Sequence, residues 1–303
     1  MTEVTHPHPE NFCGGAFQDW LEVNLLKECN ARCSWCIEKL GFHPYHTATW
    51  EQMADAAIAT TRKNIILLGG EPTLYPQIKP LIEKLISANL NVWITTNGSR
   101  INRSYCEENL KRIAGVNISI HHYDMDRNYD ITHIHLKEST LVDGIKTIHE
   151  IGGVVRMNCN TIKGYVDSEE TIREYISFCK RIGADNVRFA ELKVDEGNFV
   201  NLTKVFNYQH GLNDDPFTLG CHKETVIDGM PVNFRQMCGL QTPCRVVPVN
   251  PYQCGKEVLY YDGRIYSGWQ SSMFPLSEMA LDELLQGVAE GKIDPEEAKR
   301  LLI

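Results

Sequence analysis

Short apolar segments alternate with longer amphipathic segments between residues 20 and 191. The apolar segments are typical of β-strands, and the amphipathic ones are typical of helices. Strands are predicted at residues 20–26, 64–68, 91–95, 116–120, 154–158 and 186–190. Helices are predicted at residues 49–62, 77–88, 103–113, 137–151 and 168–182. Strand–helix alternation of this kind predicts a parallel sheet with right-handed crossovers.

The number of strand–helix units defines the fold class. Six units are two short of a closed eightfold barrel, so the sequence predicts an α/β fold with a partial, open (β/α)6 barrel. A doubly wound sheet is the alternative. In either fold, ligands bind at the carboxyl ends of the strands.

Two hairpins are predicted after residue 191. Asp-Gly pairs interrupt β-like segments there, and such a pair favours the tight turn of a hairpin. The pairs are Asp228-Gly229 within residues 226–236 and Asp262-Gly263 within residues 258–266. Residues 277–303 predict two helices, the second with Pro295 in its first turn.

These elements divide the chain into three predicted parts. A short extension (residues 1–19) precedes the barrel (residues 20–195). The last part (residues 196–303) is predicted to be a small hairpin-rich domain with terminal helices.

Composition narrows the classes of protein. With 43% hydrophobic and 23% charged residues, the chain has the apolar content of a folded protein rather than a disordered one. The net charge of −9 argues against binding to nucleic acid or to an anionic membrane, which needs clustered Lys and Arg. The first ten residues are polar and no apolar run approaches the length of a membrane span, so a cytoplasmic location is expected. In such a reducing compartment, the eleven cysteines indicate metal binding or catalysis rather than disulfides.

Three of the cysteines follow the first predicted strand. Cys29, Cys33 and Cys36 form a C-x3-C-x2-C run on a loop at the carboxyl end of that strand. Three thiolates at this spacing can bind three irons of a 4Fe-4S cluster and leave the fourth iron open. A structural zinc loop or buried thiols are the alternatives, although zinc sites usually pair a C-x2-C with a second, distant pair.

Further residues resemble a known family. Trp35 precedes the third cysteine, and the second predicted strand ends in Gly69-Gly70-Glu71-Pro72. With the cysteine loop, these residues resemble the radical S-adenosylmethionine (radical SAM) superfamily. In that family the open iron binds the amino and carboxylate groups of SAM, and the reduced cluster cleaves SAM to a 5′-deoxyadenosyl radical. The resemblance implies that the backbone and Glu71 hold the SAM ammonium, where glycines allow the chain to approach a ligand closely.

The resemblance implies additional cofactor-binding residues. Thr96 and Asn97 end the third predicted strand and Ser119 lies near the end of the fourth, where the family contacts the ribose and carboxylate of SAM. The fifth and sixth strands, which contain Asn158 and Arg188, resemble those of the GTP cyclases of molybdenum-cofactor biosynthesis. The alternative for these two residues is a hydrogen-bonded strand residue or an ion pair at the barrel mouth.

A second group of cysteines lies in the C-terminal part. It comprises Cys221, Cys238, Cys244 and Cys254. Four cysteines among hairpins suit a second 4Fe-4S cluster or a tetrahedral zinc. Behind a radical SAM core, the segment resembles the twitch and SPASM auxiliary-cluster domains, so an iron-sulfur cluster is favoured. The hairpin at residues 259–266 leads into Ser267-Gly268-Trp269, whereas in those domains it usually leads into a cysteine.

The fourth predicted strand leads into a segment rich in histidine. His121, His122 and Tyr123 follow it directly, so they are expected at the pocket, where they could bind substrate or donate a proton or hydrogen atom. The alternative is a solvated loop whose histidines are satisfied locally.

Together these observations predict an enzyme. We expect reductive cleavage of SAM and hydrogen abstraction from a small-molecule or nucleotide substrate, with a one-electron reductant such as flavodoxin or ferredoxin as partner. The second cluster would bind substrate or accept an electron. About nineteen residues precede the first strand, so a peptide substrate is the less favoured alternative. The rival from another class is a non-catalytic iron-sulfur or zinc protein.

Overall fold

One mixed sheet runs through the part of the chain that the computed structural model describes, residues 19–192, 197–206, 222–236, 257–270 and 276–302. Its strands are β1 (Trp20–Asn24), β2 (Asn64–Leu68), β3 (Asn91–Thr96), β4 (Gly115–Ser119), β5 (Val154–Asn160), β6 (Asn186–Ala190), β7 (His222–Ile227), β8 (Met230–Arg235), β9 (Glu257–Leu259) and β10 (Ile265–Ser267). In the sheet they lie in the order β10-β9-β1-β2-β3-β4-β5-β6-β8-β7.

Helices connect the parallel strands and end the chain. They are α1 (Trp50–Ala59), α2 (Ile78–Ser87), α3 (Arg103–Asn109), α4 (Met125–Thr132), α5 (Glu138–Glu150), α6 (Glu169–Ile182), α7 (Leu202–Phe206), α8 (Glu278–Ala289) and α9 (Pro295–Leu302). Short 3₁₀ turns lie at Ile37–Leu40 and Pro72–Leu74.

The predicted strand–helix alternation is confirmed. Strands β1 to β6 lie side by side in chain order and are all parallel. A doubly wound sheet would reverse its strand order at a switch point, and this sheet does not. The sheet ends at β10 and β7 instead of closing on itself, so the fold is the predicted partial barrel.

Both predicted hairpins are present, and each extends one edge of the barrel sheet. In the first, β8 pairs in parallel with β6, and the turn contains Asp228 (φ 49°) and Gly229 (φ 77°). Positive φ at both positions is typical of a tight hairpin turn. In the second, β9 pairs in parallel with β1. The hairpins thus continue the barrel sheet, while the domain boundary near residue 195 stays a prediction.

The two faces of the parallel strands differ in chemistry. One face carries fully buried apolar side chains such as Val23, Leu67 and Ile94, which join α1, α2, α5 and α6 in the main core. Because side chains alternate along a strand, the residues between them lie on the other face, which is called the inner face here. The inner face is rich in polar groups, for example Asn24 and Asn117.

A second core joins the segment after the cysteine run to the end of the chain. Its buried members are Phe42, Val258, Tyr260, Tyr266, Ala280, Leu284 and Ala298. Helices α8 and α9 contribute to it, which confirms the two predicted terminal helices. The side chain of Ser277 caps α8 by accepting a hydrogen bond from the backbone N–H of Ala280.

Helix α4 (Met125–Thr132) is not among the helices predicted from the sequence. The segment is short and polar, so it shows no apolar periodicity. A cap starts it instead: the Asp124 carboxylate accepts hydrogen bonds from the backbone N–H groups of Asp126 and Arg127. The helix ends at His133, which has a left-handed backbone (φ 56°).

Three cysteines outside the two predicted metal groups are core residues. Cys106 and Cys179 lie on α3 and α6 and are fully buried, and Cys159 is buried on β5. In the described ranges, the helices are too short or too polar to cross a bilayer.

The buried carboxylate of Glu283 on α8 should stabilise the second core. It accepts hydrogen bonds from His46 Nδ1 (2.8 Å) and Arg264 Nη1 (2.9 Å), and its side chain is fully buried. Replacing Glu283 with Ala leaves both partners unpaired, so the free energy of unfolding should fall by about 2 kcal/mol in urea titrations. Glu296→Ala removes an exposed pair with Lys299 and should cost at most about 0.5 kcal/mol. Equal losses in the two variants would contradict this role.

Candidate active site

The cysteine loop follows β1, and its first residues form backbone hydrogen bonds with the turn after β2. The backbone N–H of Gly70 donates to the carbonyl of Leu26 (2.7 Å), and that of Glu71 donates to the carbonyl of Glu28 (2.8 Å). These bonds place the first residues of the loop against the turn that follows β2. The turn and the loop therefore form one surface at the carboxyl ends of the strands.

Only glycine fits this contact. At Gly69, φ is +127° and a Cβ would lie 2.5 Å from Asn24 Oδ1. At Gly70, a Cβ would lie 2.1 Å from the Glu28 carbonyl oxygen. Distances this short are steric clashes, so the Gly-Gly pair is what allows the two loops to approach each other.

Glu71 connects the ends of β2 and β3. Its side chain is 1% exposed. One carboxylate oxygen accepts from the backbone N–H and hydroxyl of Thr73 (3.1 and 2.5 Å) and from the Thr96 hydroxyl (2.6 Å), and the other accepts from the backbone N–H of Asn97 (2.7 Å). Four protein donors occupy the carboxylate, so Glu71 holds the β3 end in place. Pro72, the last residue of the motif, begins the 3₁₀ turn after it and is buried.

Asn97 links the end of β3 to the cysteine loop. Its side-chain amide donates to Asn30 Oδ1 (2.8 Å) and lies 4.0 Å from the sulfur of Cys29. Asn30 in turn donates to the Ser99 hydroxyl (3.0 Å), and the backbone N–H of Ser99 donates to Asn97 Oδ1 (3.0 Å). The first cysteine is thus positioned from two strands, β1 and β3.

The middle of the loop reaches the opposite side of the barrel mouth. The backbone N–H of Arg32 donates to the carbonyl of Thr132 at the end of α4 (2.9 Å). Trp35 packs against a small cluster of Ile131, Ile162 and Leu192. Its ring also meets His121 edge-on, with the ring centroids 4.8 Å apart.

The end of the loop is held by the C-terminal elements. Phe42 is fully buried in the second core, and its backbone N–H donates to the carbonyl of Gln270 (2.9 Å). The backbone N–H of Ala48 donates to the carbonyl of Tyr261 (2.7 Å). The second hairpin and the terminal helices therefore fix the point at which the loop enters α1.

The three thiols are free and accessible to different degrees. Cys29 is exposed, and Cys33 and Cys36 are half-buried. Burial raises the pKa of all three, and repulsion from the other two sulfurs helps to raise the pKa of Cys33 to about 12. The thiols are therefore protonated at neutral pH unless cationic iron compensates their charge. Within the described ranges, no group of three His, Cys, Asp or Glu side chains is arranged around a single metal ion. In a cube each of three cysteines binds a different iron, so the trio fits a cluster better than a lone ion.

The inner face beside the loop offers unsatisfied polar atoms. Ser119, Asn158 and Arg188 are register partners on β4, β5 and β6, so they form a row across the sheet. Asn158 Oδ1 is buried and has no hydrogen-bond partner among the described residues. A buried acceptor of this kind normally has a partner, so a bound ligand with donor groups fits the row.

His121 is enclosed on all sides. It is 4% exposed, and its Nδ1 accepts a hydrogen bond from the backbone N–H of Asn160 (3.1 Å). Burial lowers its pKa to about 3, so the imidazole is neutral at physiological pH and carries its proton on Nε2. It cannot supply an imidazolium proton, and its contacts make it a support for Trp35.

His122 and Tyr123 contact each other and the segments beside them. His122 Nδ1 accepts from the backbone N–H of Asp124 (2.9 Å), and its ring packs against that of Tyr123 with the centroids 4.3 Å apart. Burial lowers the pKa of His122. The hydrogen bond of Tyr123 with Glu174 on α6, together with burial, raises the pKa of Tyr123 to about 12. These contacts differ from those of His121.

The four C-terminal cysteines, Cys221, Cys238, Cys244 and Cys254, lie outside the described residues. Sequence reasoning missed the residues that hold the cysteine loop, namely Asn30, Phe42 and Ser99. None of them is a defining position of a motif, although Asn30 lies between the first two cysteines of the run. Phe42 carried a weak signal, because a large apolar residue in a polar loop usually has a buried partner.

The comparisons with known proteins agree with this geometry. The sequence model of the Radical SAM superfamily matches residues 23–179, which is more than half of the chain. The chain belongs to the radical SAM superfamily. The match includes the cysteine loop, the Gly-Gly turn and strands β2 to β5.

Relatives share part of the sequence. The GTP 3′,8-cyclase of Aliarcobacter butzleri is 28% identical over 184 residues, which are 57% of this chain and 55% of that enzyme. Molybdenum cofactor biosynthesis protein 1 of Homo sapiens is 24% identical over 208 residues, 66% of this chain and 32% of that protein. The chain thus spans about half, or less, of the length of these curated relatives.

Solved structures share the fold. SuiB of Streptococcus suis bound to its precursor peptide SuiA is 17% identical, with a TM-score of 0.60 over 93% of this chain and 66% of that chain. The enzyme anSMEcpe with bound AdoMet is 13% identical, with a TM-score of 0.53 over 86% of this chain and 80% of that chain. Likeness at this identity shows the fold alone.

Gly70→Ala should displace the cysteine loop. The new Cβ would meet the backbone oxygen of Glu28, which cannot rotate away, so the variant should lose about 2 kcal/mol in free energy of unfolding and bind less iron on reconstitution. Gly152→Ala is the control, because a Cβ at Gly152 would have open space around it, although Gly152, unlike Gly70, has positive φ. It should cost about 1 kcal/mol and bind iron normally. Normal iron content in Gly70→Ala would contradict the packing argument.

His121 should make stability depend on pH. Its pKa is about 3 in the folded chain against 6.5 ordinarily, so below pH 6.5 the unfolded chain binds a proton that the folded chain does not. The free energy of unfolding therefore decreases as the pH is lowered. Between pH 7.5 and pH 5, wild type should lose about 2 kcal/mol more than His121→Asn, which removes the titrating group. Urea titrations of the iron-free chain at both pH values measure this difference, and identical losses would show that His121 is not buried as a neutral group.

Proposed function

We propose that this chain reductively cleaves SAM and uses the product radical to abstract hydrogen from a small-molecule or nucleotide substrate. One observation carries the proposal. The loop with Cys29, Cys33 and Cys36 is held across the carboxyl ends of the strands and against the Gly69-Gly70 turn, in a chain that belongs to the radical SAM superfamily. The 28% identity with a GTP 3′,8-cyclase supports a nucleotide or similarly small substrate over a peptide.

The three cysteines would hold a 4Fe-4S cluster, and the neighbouring strand ends would hold SAM. When bound, the reduced cluster and SAM supply a 5′-deoxyadenosyl radical. The backbone of Gly69 and Gly70 lies at the surface that SAM would occupy. Candidate SAM contacts are Thr96, Asn97, Ser119, Asn158 and Arg188. Of these, Asn158 has the clearest support, because its buried Oδ1 has no partner among the described residues.

Glu71 is proposed to position this site and to hold the SAM ammonium. Its carboxylate accepts four hydrogen bonds from Thr73, Thr96 and Asn97, three at Oε1 and one at Oε2. Oε2 therefore keeps a lone pair that can accept from an ammonium group. The negative charge of the carboxylate also favours a cation nearby.

The residues of the histidine-rich segment are given different roles. His121, neutral and enclosed, supports Trp35 and through it the loop between Cys33 and Cys36. His122 and Tyr123 remain candidates for binding the substrate or for proton or hydrogen-atom transfer. For His121 we propose this supporting role in place of substrate binding or donation of a proton or hydrogen atom.

The C-terminal cysteines are proposed to bind a second metal centre. A 4Fe-4S cluster is favoured and zinc is the alternative, for the group Cys221, Cys238, Cys244 and Cys254. A one-electron reductant such as flavodoxin or ferredoxin would supply electrons to the first cluster. The proposed boundary at residue 195 separates the barrel from the segment that contains the second centre.

Anaerobic reconstitution tests the function. Wild type with iron, sulfide, dithionite and SAM should form 5′-deoxyadenosine, and the triple variant Cys29→Ala, Cys33→Ala, Cys36→Ala should form none, because no cluster can bind SAM. Cys106→Ala is the matched control, since Cys106 is a buried core residue on α3, and it should keep the activity. Product formation by the triple variant would refute the assignment of the loop.

The iron count of the same wild-type sample tests the second centre. Two cubes require about eight irons per chain, and one cube with a structural zinc requires about four irons and one zinc. About four irons without zinc would refute a second centre.

A further inference from the structure

The inner face of the sheet carries polar residues in addition to those assigned to the proposed cofactor site. Below the strand ends, β5, β6 and β8 present amides and guanidinium groups at every second position. They are Arg156, Asn158 and Asn160 on β5, Asn186 and Arg188 on β6, and Asn233 and Arg235 on β8. Cross-strand pairing brings them into rows: Arg156 lies opposite Asn186, and Arg188 lies opposite both Asn158 and Asn233. The opposite face of these strands is apolar and packed in the main core.

Arg156 is the deepest of these cations and forms no direct ion pair among the described residues. Its Nε is buried without a hydrogen-bond partner, and the carboxylate of Glu224 acts on its charge without pairing with it. Its guanidinium carbon lies 5.9 Å above the ring of Trp93 on β3. A buried guanidinium normally has a directly paired anion, so Arg156 is a candidate for anion binding.

The sheet makes room for this arrangement. Trp93 pairs with Gly115 on β4, and a Cβ at Gly115 would lie 2.2 Å from the Trp93 ring. Only glycine lets the ring extend over β4 towards Arg156, which lies on the next strand. The aromatic support of Arg156 therefore depends on a glycine in the middle of the sheet, where glycine is otherwise unfavourable.

A second cation adds to the positive potential. Burial lowers the pKa of Arg156 to about 10, and the positive charge of Arg235 lowers it further in the same direction, whereas Glu224 acts against them. Glu224 is exposed and lies on β7, at the edge of the sheet. Repulsion between two guanidinium groups is relieved when an anion binds between them.

A cavity opens at this point. It has a volume of about 510 Å³ and is lined by Arg156, Asn186, Glu224, Thr225, Val226, Pro231, Val232 and Asn233. The volume is in the range of small-molecule sites, and the lining combines an apolar wall with a few polar groups, as such sites do. Arg156 lies four residues before Asn160, the last residue of β5, so the cavity is ~13 Å below the strand ends.

We propose that this cavity binds an anionic group of the substrate, a phosphate or a carboxylate, through the guanidinium group of Arg156 with the amides of Asn186 and Asn233, while the nearby charge of Arg235 adds to the positive potential. The inference rests on the proposed function, because the anion is assigned to the substrate of the radical reaction. A substrate anchored at this depth extends upward along the inner face, so its other end reaches the strand ends where the cysteine loop lies. Substrates without an anionic group would lack this anchor.

Isothermal titration calorimetry of the reconstituted full chain tests the site. Inorganic phosphate and acetate are titrated separately at constant ionic strength, with SAM saturating so that groups that bind the SAM carboxylate are already filled. Arg156→Met removes the charge and keeps much of the stem, and Arg156→Lys keeps the charge without the planar fork. Arg235→Gln is a second variant, in case Arg156→Met does not fold by circular dichroism. Arg300→Met, an exposed arginine on α9, is the matched control.

Wild type and Arg300→Met should bind at least one of the two anions with the same affinity. Arg156→Met should weaken that binding by about tenfold or more, and Arg235→Gln and Arg156→Lys should lie between it and wild type. Tighter binding of phosphate indicates a phosphorylated substrate, and tighter binding of acetate indicates a carboxylate. Absence of binding of both anions to wild type, or unchanged binding in both variants, would overturn the proposal.

The proposed function is tested separately by 5′-deoxyadenosine formation in wild type. If wild type binds the anion and forms no 5′-deoxyadenosine, the radical function fails and the anion site stands. If wild type forms 5′-deoxyadenosine and does not bind either anion, only the anion site fails.

Discussion

The backbone contact between the cysteine loop and the turn after β2 is the constraint on which the site depends. Two hydrogen bonds, from Gly70 to Leu26 and from Glu71 to Glu28, bring the main chains together at a distance that excludes any side chain at Gly70. Loops at sheet edges are usually the variable part of a fold. Here the loop is instead tied to the sheet where it begins, to α4 in its middle and to the second core where it ends. The positions of the three cysteines follow from the rigid strands.

One face of the parallel strands stabilises the fold, and the inner face offers polar groups for binding. The face opposite the inner face is apolar and packed in the main core. Hydrophobic burial there provides most of the stability of the sheet. The inner face can therefore carry polar groups that contribute little to folding and some that oppose it, such as Asn158 Oδ1 and the guanidinium of Arg156. Unsatisfied buried polar groups cost stability, so a ligand that satisfies them gains affinity from the same interactions. Stability at one face thus permits binding at the other.

The sequence predicted the elements well and their contacts poorly. Strands β2 and β6 have the predicted bounds, because local patterns determine such features. Helix α4 was missed because a side-chain cap, rather than apolar periodicity, starts it. The contact of Trp35 with His121 and the burial of Phe42 join residues far apart in the chain, so no local pattern could indicate them. Motif residues such as Gly70 were identified, but the four hydrogen bonds of Glu71 required the fold.

The central claim is that the loop of Cys29, Cys33 and Cys36 holds an iron-sulfur cluster with an iron open to SAM. Electron paramagnetic resonance of the reconstituted, dithionite-reduced chain, recorded before and after addition of SAM, tests it most directly. The account predicts a signal typical of a reduced 4Fe-4S cluster whose g values change when SAM is added. A signal that is the same with and without SAM would contradict an open iron at this loop, whatever other cluster the chain contains.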